Sequence, residues 1–382
     1  MLILGVSARA ESLEAGRVRS LTGAACHSFF LTMPEQLIRR LKYLGPFYFF
    51  GNPGNLGDLL IAEATRQFFR RHDIPYMEYD PSNLPDEYNL VYGGGGRFVS
   101  YWADVDECIE LLTDPRIKNC IVLPHSFRDV DRLVSRFDER HTLYCRDKLS
   151  YDYLKEKAPR SAVLLLADMA LQFNPDELTP LRVPALLSPE ERDIAEAIEM
   201  GLFRRMCKGV YRASVKGRGK MKGKRVAFLL RADKEKSSEL DASVSFDIAV
   251  VWGTTGRETA YSAELLRQYM KALCQVDVVV SDRLHVCIMA YICGLEVYMV
   301  DNIYGKLSGV YDLALKDCAQ CHLLRDGVLP ADLKEAWERI SAAMRRRQKR
   351  GLRRRRRKEM MKRWGARLKE MGRAILRNLF RC

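Results

Sequence analysis

The residues best suited to chemistry in this chain lie where apolar runs stop. Val278-Val279-Val280 leads directly into Ser281-Asp282-Arg283-Leu284-His285. A helix beginning there sets Arg283 and His285 beside its unpaired N–H groups and positive dipole end, which favours an anion. A plainer reading pairs Arg283 with Asp282 and packs His285 on its own helix. A second arginine weighs against it. Arg231 follows the apolar Val226–Leu230, so two guanidiniums and an imidazole converge at neighbouring strand ends. Burying that much positive charge without an anionic ligand is costly.

A second set surrounds Gly51-Asn52-Pro53-Gly54-Asn55-Leu56-Gly57-Asp58. Its glycines and asparagines permit a tight turn with backbone close to a ligand, so Asn55 and Gly57 are expected to contact one. Asp58 is an N-cap, a functional carboxylate, or both. The spacing fits neither a dinucleotide fingerprint nor a Walker loop. Gly93-Gly94-Gly95-Gly96-Arg97 follows another apolar run, and Gly94 and Gly95 offer backbone to a phosphate or sugar, although strand packing alone explains two of the four. His125, in Leu-Pro-His-Ser, also sits just past a strand. Lys306, in Asp301-Asn302-Ile303-Tyr304-Gly305-Lys306, is within reach of a phosphate in the same place. Arg146-Asp147 reads as a salt-bridged turn and Asp168 as a strand-end carboxylate. Cys318-Ala319-Gln320-Cys321-His322 matches the c-type haem attachment pattern, but without an export signal or a second Cys/His pair it is expected to hold neither haem nor zinc.

Alternating elements must position these residues. Apolar runs at Phe47–Phe50, Asn89–Tyr92, Cys120–Leu123, Thr142–Cys145 and Ala162–Leu166 are expected strands. Asp58–Arg71, Val105–Leu112 and Asp147–Lys157 have helical spacing between them. After a break, strands are expected at Arg225–Leu230, Asp247–Val251, Val276–Val280 and Glu296–Val300, with helices at Glu258–Leu273 and Arg283–Cys293. The expected fold is α/β: two Rossmann-like domains facing across a cleft, with the site outside the carboxyl ends of the strands. Residues 1–33 read as a flexible leader, 34–173 as an N-terminal domain and 174–224 as a linker with a helix at Pro189–Arg205. Residues 225–330 read as a C-terminal domain and 331–382 as a basic amphipathic helical tail.

The chain has 382 residues, 47% apolar and 29% charged, which excludes collagen-like and wholly disordered classes. Its net charge of +14 is local, since Ser341–Cys382 holds 18 basic and 2 acidic residues while the rest carries 45 and 47. Eleven cysteines without a secretory signal point to a reducing, cytoplasmic setting. In the tail, Met361, Trp364, Leu368, Met371, Ile375 and Leu379 recur every three or four residues among lysines and arginines. Such a helix suits the surface of an anionic membrane, here the inner leaflet. Nucleic acid is the less favoured partner, because no nucleic-acid fold accompanies the basic run.

Taken in order, Gly51–Ile61 (GNPGNLGDLLI), Tyr92–Gly96 (YGGGG), Arg146–Ser150 (RDKLS), Asp168–Ala170 (DMA), Ser281–His285 (SDRLH) and Asp301–Lys306 (DNIYGK) resemble the polysaccharide pyruvyl transferase family. The resemblance spans Tyr43 to Asp312. It implies a GT-B-like pair of domains that transfer a pyruvyl group from phosphoenolpyruvate onto a sugar, usually as a cyclic ketal. It also implies that Arg283, Leu284, His285 and Arg231 hold the donor, that no cofactor is needed, and that the acceptor is a surface-polysaccharide precursor, lipid-linked or free. The flanking text differs at one point, where this chain has Leu230-Arg231 and the family more often has Ser-Arg. Phosphoenolpyruvate is a compact polyanion that two arginines can grip bidentately. His285 suits the general acid, with Asp58 or His125 as base. No metal site is evident. A nucleotide-sugar glycosyltransferase and a non-catalytic binding scaffold are the rival readings.

Overall fold

The computed structural model describes residues 34–100, 104–178, 218–221, 223–233, 235–236, 240, 245, 247–249, 262–301, 305–346 and 350. The first half begins with α1 (Pro34–Leu44) and β1 (Tyr48–Phe50), followed by α2 (Leu56–Arg71) and the two-residue β2 (Met77–Glu78). Then come β3 (Tyr88–Tyr92), α3 (Val105–Leu112), β4 (Ile117–His125), α4 (Asp131–Val134), β5 (His141–Cys145), α5 (Lys148–Lys157) and β6 (Ala162–Leu165). All the strands pair in parallel, in the order β2-β1-β3-β4-β5-β6. Strand order reverses between β1 and β3, because the chain steps outward to β2 and returns on the other side. Ligands of such sheets bind at that reversal, beyond the carboxyl ends of the strands.

The second half contains β7 (Arg218–Met221), β8 (Lys224–Phe228), α6 (Ser262–Leu273), β9 (Val278–Ser281), α7 (Leu284–Ile292), β10 (Glu296–Val300), α8 (Lys306–Val310) and β11 (Cys321–Leu324). Here β8 to β11 are parallel neighbours, and β7 adds an antiparallel edge. Helix α2 is buried along most of its length, from Leu56 and Gly57 through Leu59, Leu60 and Ile61 to Phe69, with Asp58 half-buried in its first turn. An amphipathic surface helix would bury one stripe only. This one is enclosed on further sides because α6 and α7 lie against it. One apolar cluster accordingly runs through both halves, joining Phe49, Leu60 and Val91 to Val279, Val286 and Met289.

Several expectations change. Residues 247–249 lie in no strand, and the rest of the strand expected at Asp247–Val251 lies outside the described residues. The basic Arg218–Met221, assigned to the linker, forms β7, since an edge strand needs only its backbone paired on one side. The Pro189–Arg205 helix, the leader and residues 351–382 lie outside the described residues. Residues 331–346, assigned to the tail, are helical (α9) and pack Leu333, Ala336 and Ile340 against Val226, Phe228 and Val280. In the Cys318–His322 motif, strand alternation sends Cys321 into the core, while His322 stacks beside Tyr298 on the other face. No helix among the described residues is long and apolar enough to cross a membrane.

If α9 belongs to the folded body, Leu333→Ala, at a fully buried position, should lower stability by about 2–5 kcal/mol in chemical denaturation.

Candidate functional site

The loops at the strand-order reversal are built largely from their own hydrogen bonds. Asn52 Nδ2 donates to the carbonyls of Gly93 at 2.7 Å and Gly94 at 3.0 Å, tying the exits of β1 and β3 together. Asn55 Oδ1 accepts from the Gly57 N–H at 2.8 Å, and Asp58 Oδ2 accepts from the Asn55 N–H at 2.8 Å. This is a capping box that starts α2 at Leu56, with Asn55 as the N-cap and Asp58, expected to be the cap, at the third helical position. Gly94 is a packing glycine, since a Cβ there would lie 2.8 Å from the Pro124 carbonyl oxygen. Gly95 has φ +151° and lies against His125. His125 is fully buried and stacked on Phe98, with 4.3 Å between centroids. Burial, reinforced by the charge of Arg146, holds its imidazole well below its ordinary pKa and therefore neutral.

The arginines of the second sheet are neutralised by the chain itself. Arg283 donates from Nε to Asp247 Oδ1 at 2.5 Å and from Nη2 to Asp233 Oδ2 at 2.7 Å, with a further Nη2 bond to Asp247. Arg231 donates from Nε to Asp233 Oδ1 at 2.8 Å and pairs through Nη1 with Glu235, and its backbone N–H donates to Asp282 Oδ1 at 2.8 Å. From sequence alone these charges called for an anionic ligand. The structure corrects that premise, because Asp233, Glu235 and Asp247 are the counter-anions. Asp233 and Glu235 follow Arg231 by two and four residues and Asp247 opens the expected strand Asp247–Val251, so none of them reads as a counter-anion from spacing alone.

The contact between the two sheets falls elsewhere. Arg146, after β5, is fully buried and pairs with Asp168, not with its neighbour Asp147. Its Nη1 donates to Asp168 Oδ2 at 2.7 Å and its Nε to Ser126 Oγ at 2.9 Å, while Nη2 has no hydrogen-bond partner among the described residues. Asp147 instead caps α5 and pairs with Arg128. From the second sheet, His285 Nε2 lies 3.4 Å from both Asp168 Oδ2 and Arg146 Nη1. Burial tends to raise the Asp168 carboxyl, but the Arg146 charge and the His285 hydrogen bond outweigh it and hold the group well below the usual carboxylate range.

Lys306 completes the cluster. A Cβ on Gly96 would lie 2.8 Å from Lys306 Nζ and 3.0 Å from Arg146 Nη2, so glycine leaves room where both cations approach. Burial lowers the Lys306 ammonium to about 8, against the pull of Glu235. Gly57 plays the same part beside His285, where a Cβ would lie 2.5 Å from Nδ1. Leu284, buried on the first turn of α7, packs in the core. Among the described residues, no group of three His, Cys, Asp or Glu side chains could hold a metal ion.

Residues 55–304 match the polysaccharide pyruvyl transferase family model. The chain belongs to that family. It is 24% identical over 298 residues to "Putative pyruvyl transferase EpsO" of Bacillus subtilis (strain 168), covering 71% of this chain and 85% of the relative. It also shares its fold with a crystal structure of the functionally uncharacterised protein KP1_0663 from Klebsiella pneumoniae subsp. pneumoniae NTUH-K2044, with TM-score 0.56 and 22% identity, covering 78% of this chain and 97% of that one. This polysaccharide pyruvyl transferase thus gathers Arg146, Asp168, His285 and Lys306 at converging strand ends. Arg146 and Asp168 read in sequence as a local turn and a strand end, and Gly96 stood only as one of four glycines.

Two substitutions check this arrangement. Arg283→Ala leaves Asp233 and Asp247 without their shared cation and should cost about 3–5 kcal/mol in denaturant unfolding. Gly57→Ala should displace His285 while lowering the melting temperature less than Arg283→Ala does, a contrast that thermal unfolding reads directly.

Proposed function

We propose that this protein moves the pyruvyl group of phosphoenolpyruvate onto a sugar of a surface-polysaccharide precursor and closes it as a cyclic ketal. The observation that carries this reading is the buried, unpartnered Arg146 Nη2 beside Lys306 and His285. A small polyanion suits that place, because its oxygens offer the acceptors that the guanidinium lacks and offset the neighbouring ammonium. Arg283 and Arg231, gripped by their carboxylates, shape the donor side and keep its loops in register.

In this reading His285 protonates the donor's terminal methylene. The electron pair of the carbon–carbon double bond takes up that proton, and a sugar hydroxyl adds to the electron-poor central carbon. Phosphate leaves as a second hydroxyl of the same acceptor closes the ring, its proton passing to the now neutral His285. Asp58, whose Oδ1 is not used in the capping box, is the base for the hydroxyl proton. The buried, neutral His125 forms the floor of the site. A lipid-linked acceptor would bring the enzyme to the inner membrane leaflet, where the basic residues 351–382 find anionic headgroups.

The test incubates the full chain with phosphoenolpyruvate and an oligosaccharide acceptor, following phosphate release and the mass of the glycan. Lys306→Met should lower kcat/KM for phosphoenolpyruvate by about 10- to 100-fold, the weight of one charged hydrogen bond. In the wild type, kcat/KM should fall as pH rises through about 8, where the Lys306 ammonium loses its proton. Stabilisation by a nucleotide sugar, with none by phosphoenolpyruvate, would overturn the reading in favour of glycosyl transfer. Removing residues 351–382 should weaken binding to phosphatidylglycerol vesicles, measured by co-sedimentation.

A further inference from the structure

We infer that Asp168 is the positioning residue of this site, holding His285 through Nε2 so that Nδ1 is the nitrogen that delivers the proton. The inference deepens the reading of His285 as general acid and rests on it. Asp168 is itself fixed: Oδ1 accepts from the Ala170 N–H at 2.9 Å, and Oδ2 faces Arg146 Nη1 at 2.7 Å and His285 Nε2 at 3.4 Å. Arg146 is anchored in turn by Ser126, whose hydroxyl donates to Asp147 Oδ2 at 2.8 Å. The carboxylate therefore cannot follow the imidazole, and the imidazole must come to it.

The groups facing His285 define what that contact does. Arg146 and Asp168 approach from the loops after β5 and β6, and α2 contributes Gly57, with Asp58 one residue further on. Arg146 and Asp168 thus set one guanidinium and one carboxylate against Nε2. With Nε2–H donated to Asp168, the proton on Nδ1 is left to give. Nδ1 lies against α2 at Gly57, where a Cβ would stand 2.5 Å from it, so glycine is what lets the ring approach this helix. In the step itself the Nδ1–H bond breaks, a C–H bond forms at the donor's methylene using the electrons of its double bond, and His285 becomes neutral while still bonded to Asp168.

The experiment compares full-length wild type with Asp168→Asn and Asp168→Glu. For Asp168→Asn, kcat should fall at least about tenfold while KM for phosphoenolpyruvate changes less than about threefold. Asp168→Glu, which keeps the charge, should recover part of kcat. Diethyl pyrocarbonate labelling of His285, read by mass spectrometry, needs no turnover and should be several-fold faster in Asp168→Asn. Faster labelling in a protein that does not turn over phosphoenolpyruvate would sustain the positioning role and reject the donor assignment. Unchanged labelling, with kcat lost only in proportion to folded protein, would overturn the inference.

Discussion

Buried positive charge is the constraint on which the rest of this structure depends. Arg146, Arg231 and Arg283 are each less than a tenth exposed, and an isolated guanidinium in such surroundings costs several kcal/mol. The chain answers with carboxylates: Asp168 for Arg146, Asp233 and Glu235 for Arg231, Asp233 and Asp247 for Arg283. Each pairing fixes a loop at a strand end, so neutralising the charge and shaping the site are one act. What is left over is informative. The Nη2 of Arg146 has no partner among the described residues, and it lies next to Lys306.

The fold concentrates these charges because parallel strands all end on the same side. In the first sheet the order reverses between β1 and β3, and the Gly51–Asn55 and Gly93–Gly96 loops lie at that reversal. In the second, β8, β9 and β10 deliver Arg231, Arg283 and Lys306 from successive exits. Helix α2 links the two, since its first turn touches His285 and its length packs on α6 and α7. The glycines at 57 and 96 follow from that proximity, each standing where a methyl group would strike a charged or catalytic side chain.

Much of this was legible in the order of residues. Val105–Leu112 and Glu296–Val300 were delimited without error, because an amphipathic period and a strand bounded by turn residues are local patterns. The Arg283–His285 exit was legible for the same reason. Errors came where neighbours in space are far apart in sequence. Arg218–Met221 looked like a linker because its pairing partner, β8, supplies the order it lacks. Residues 331–346 merged with the basic run beyond them, since the surface that buries Leu333 and Ile340 belongs to β8 and β9.

The sequence by itself determined the α/β alternation, which rests on residues within a turn or two of each other, and the family, which rests on the order of short motifs along the chain. It put the cap of α2 at Asp58, where the structure has Asn55. Tertiary structure alone decided which charge neutralises which. Arg146 passes over the adjacent Asp147 for Asp168, 22 residues on, and Arg283 passes over Asp282 for Asp247, 36 residues back. Successive side chains at the end of an extended strand point to opposite faces, so the next residue is the one a buried guanidinium is least able to reach. For Arg146 and Arg283 the partner comes from a distant segment, and only the packed sheets say which one.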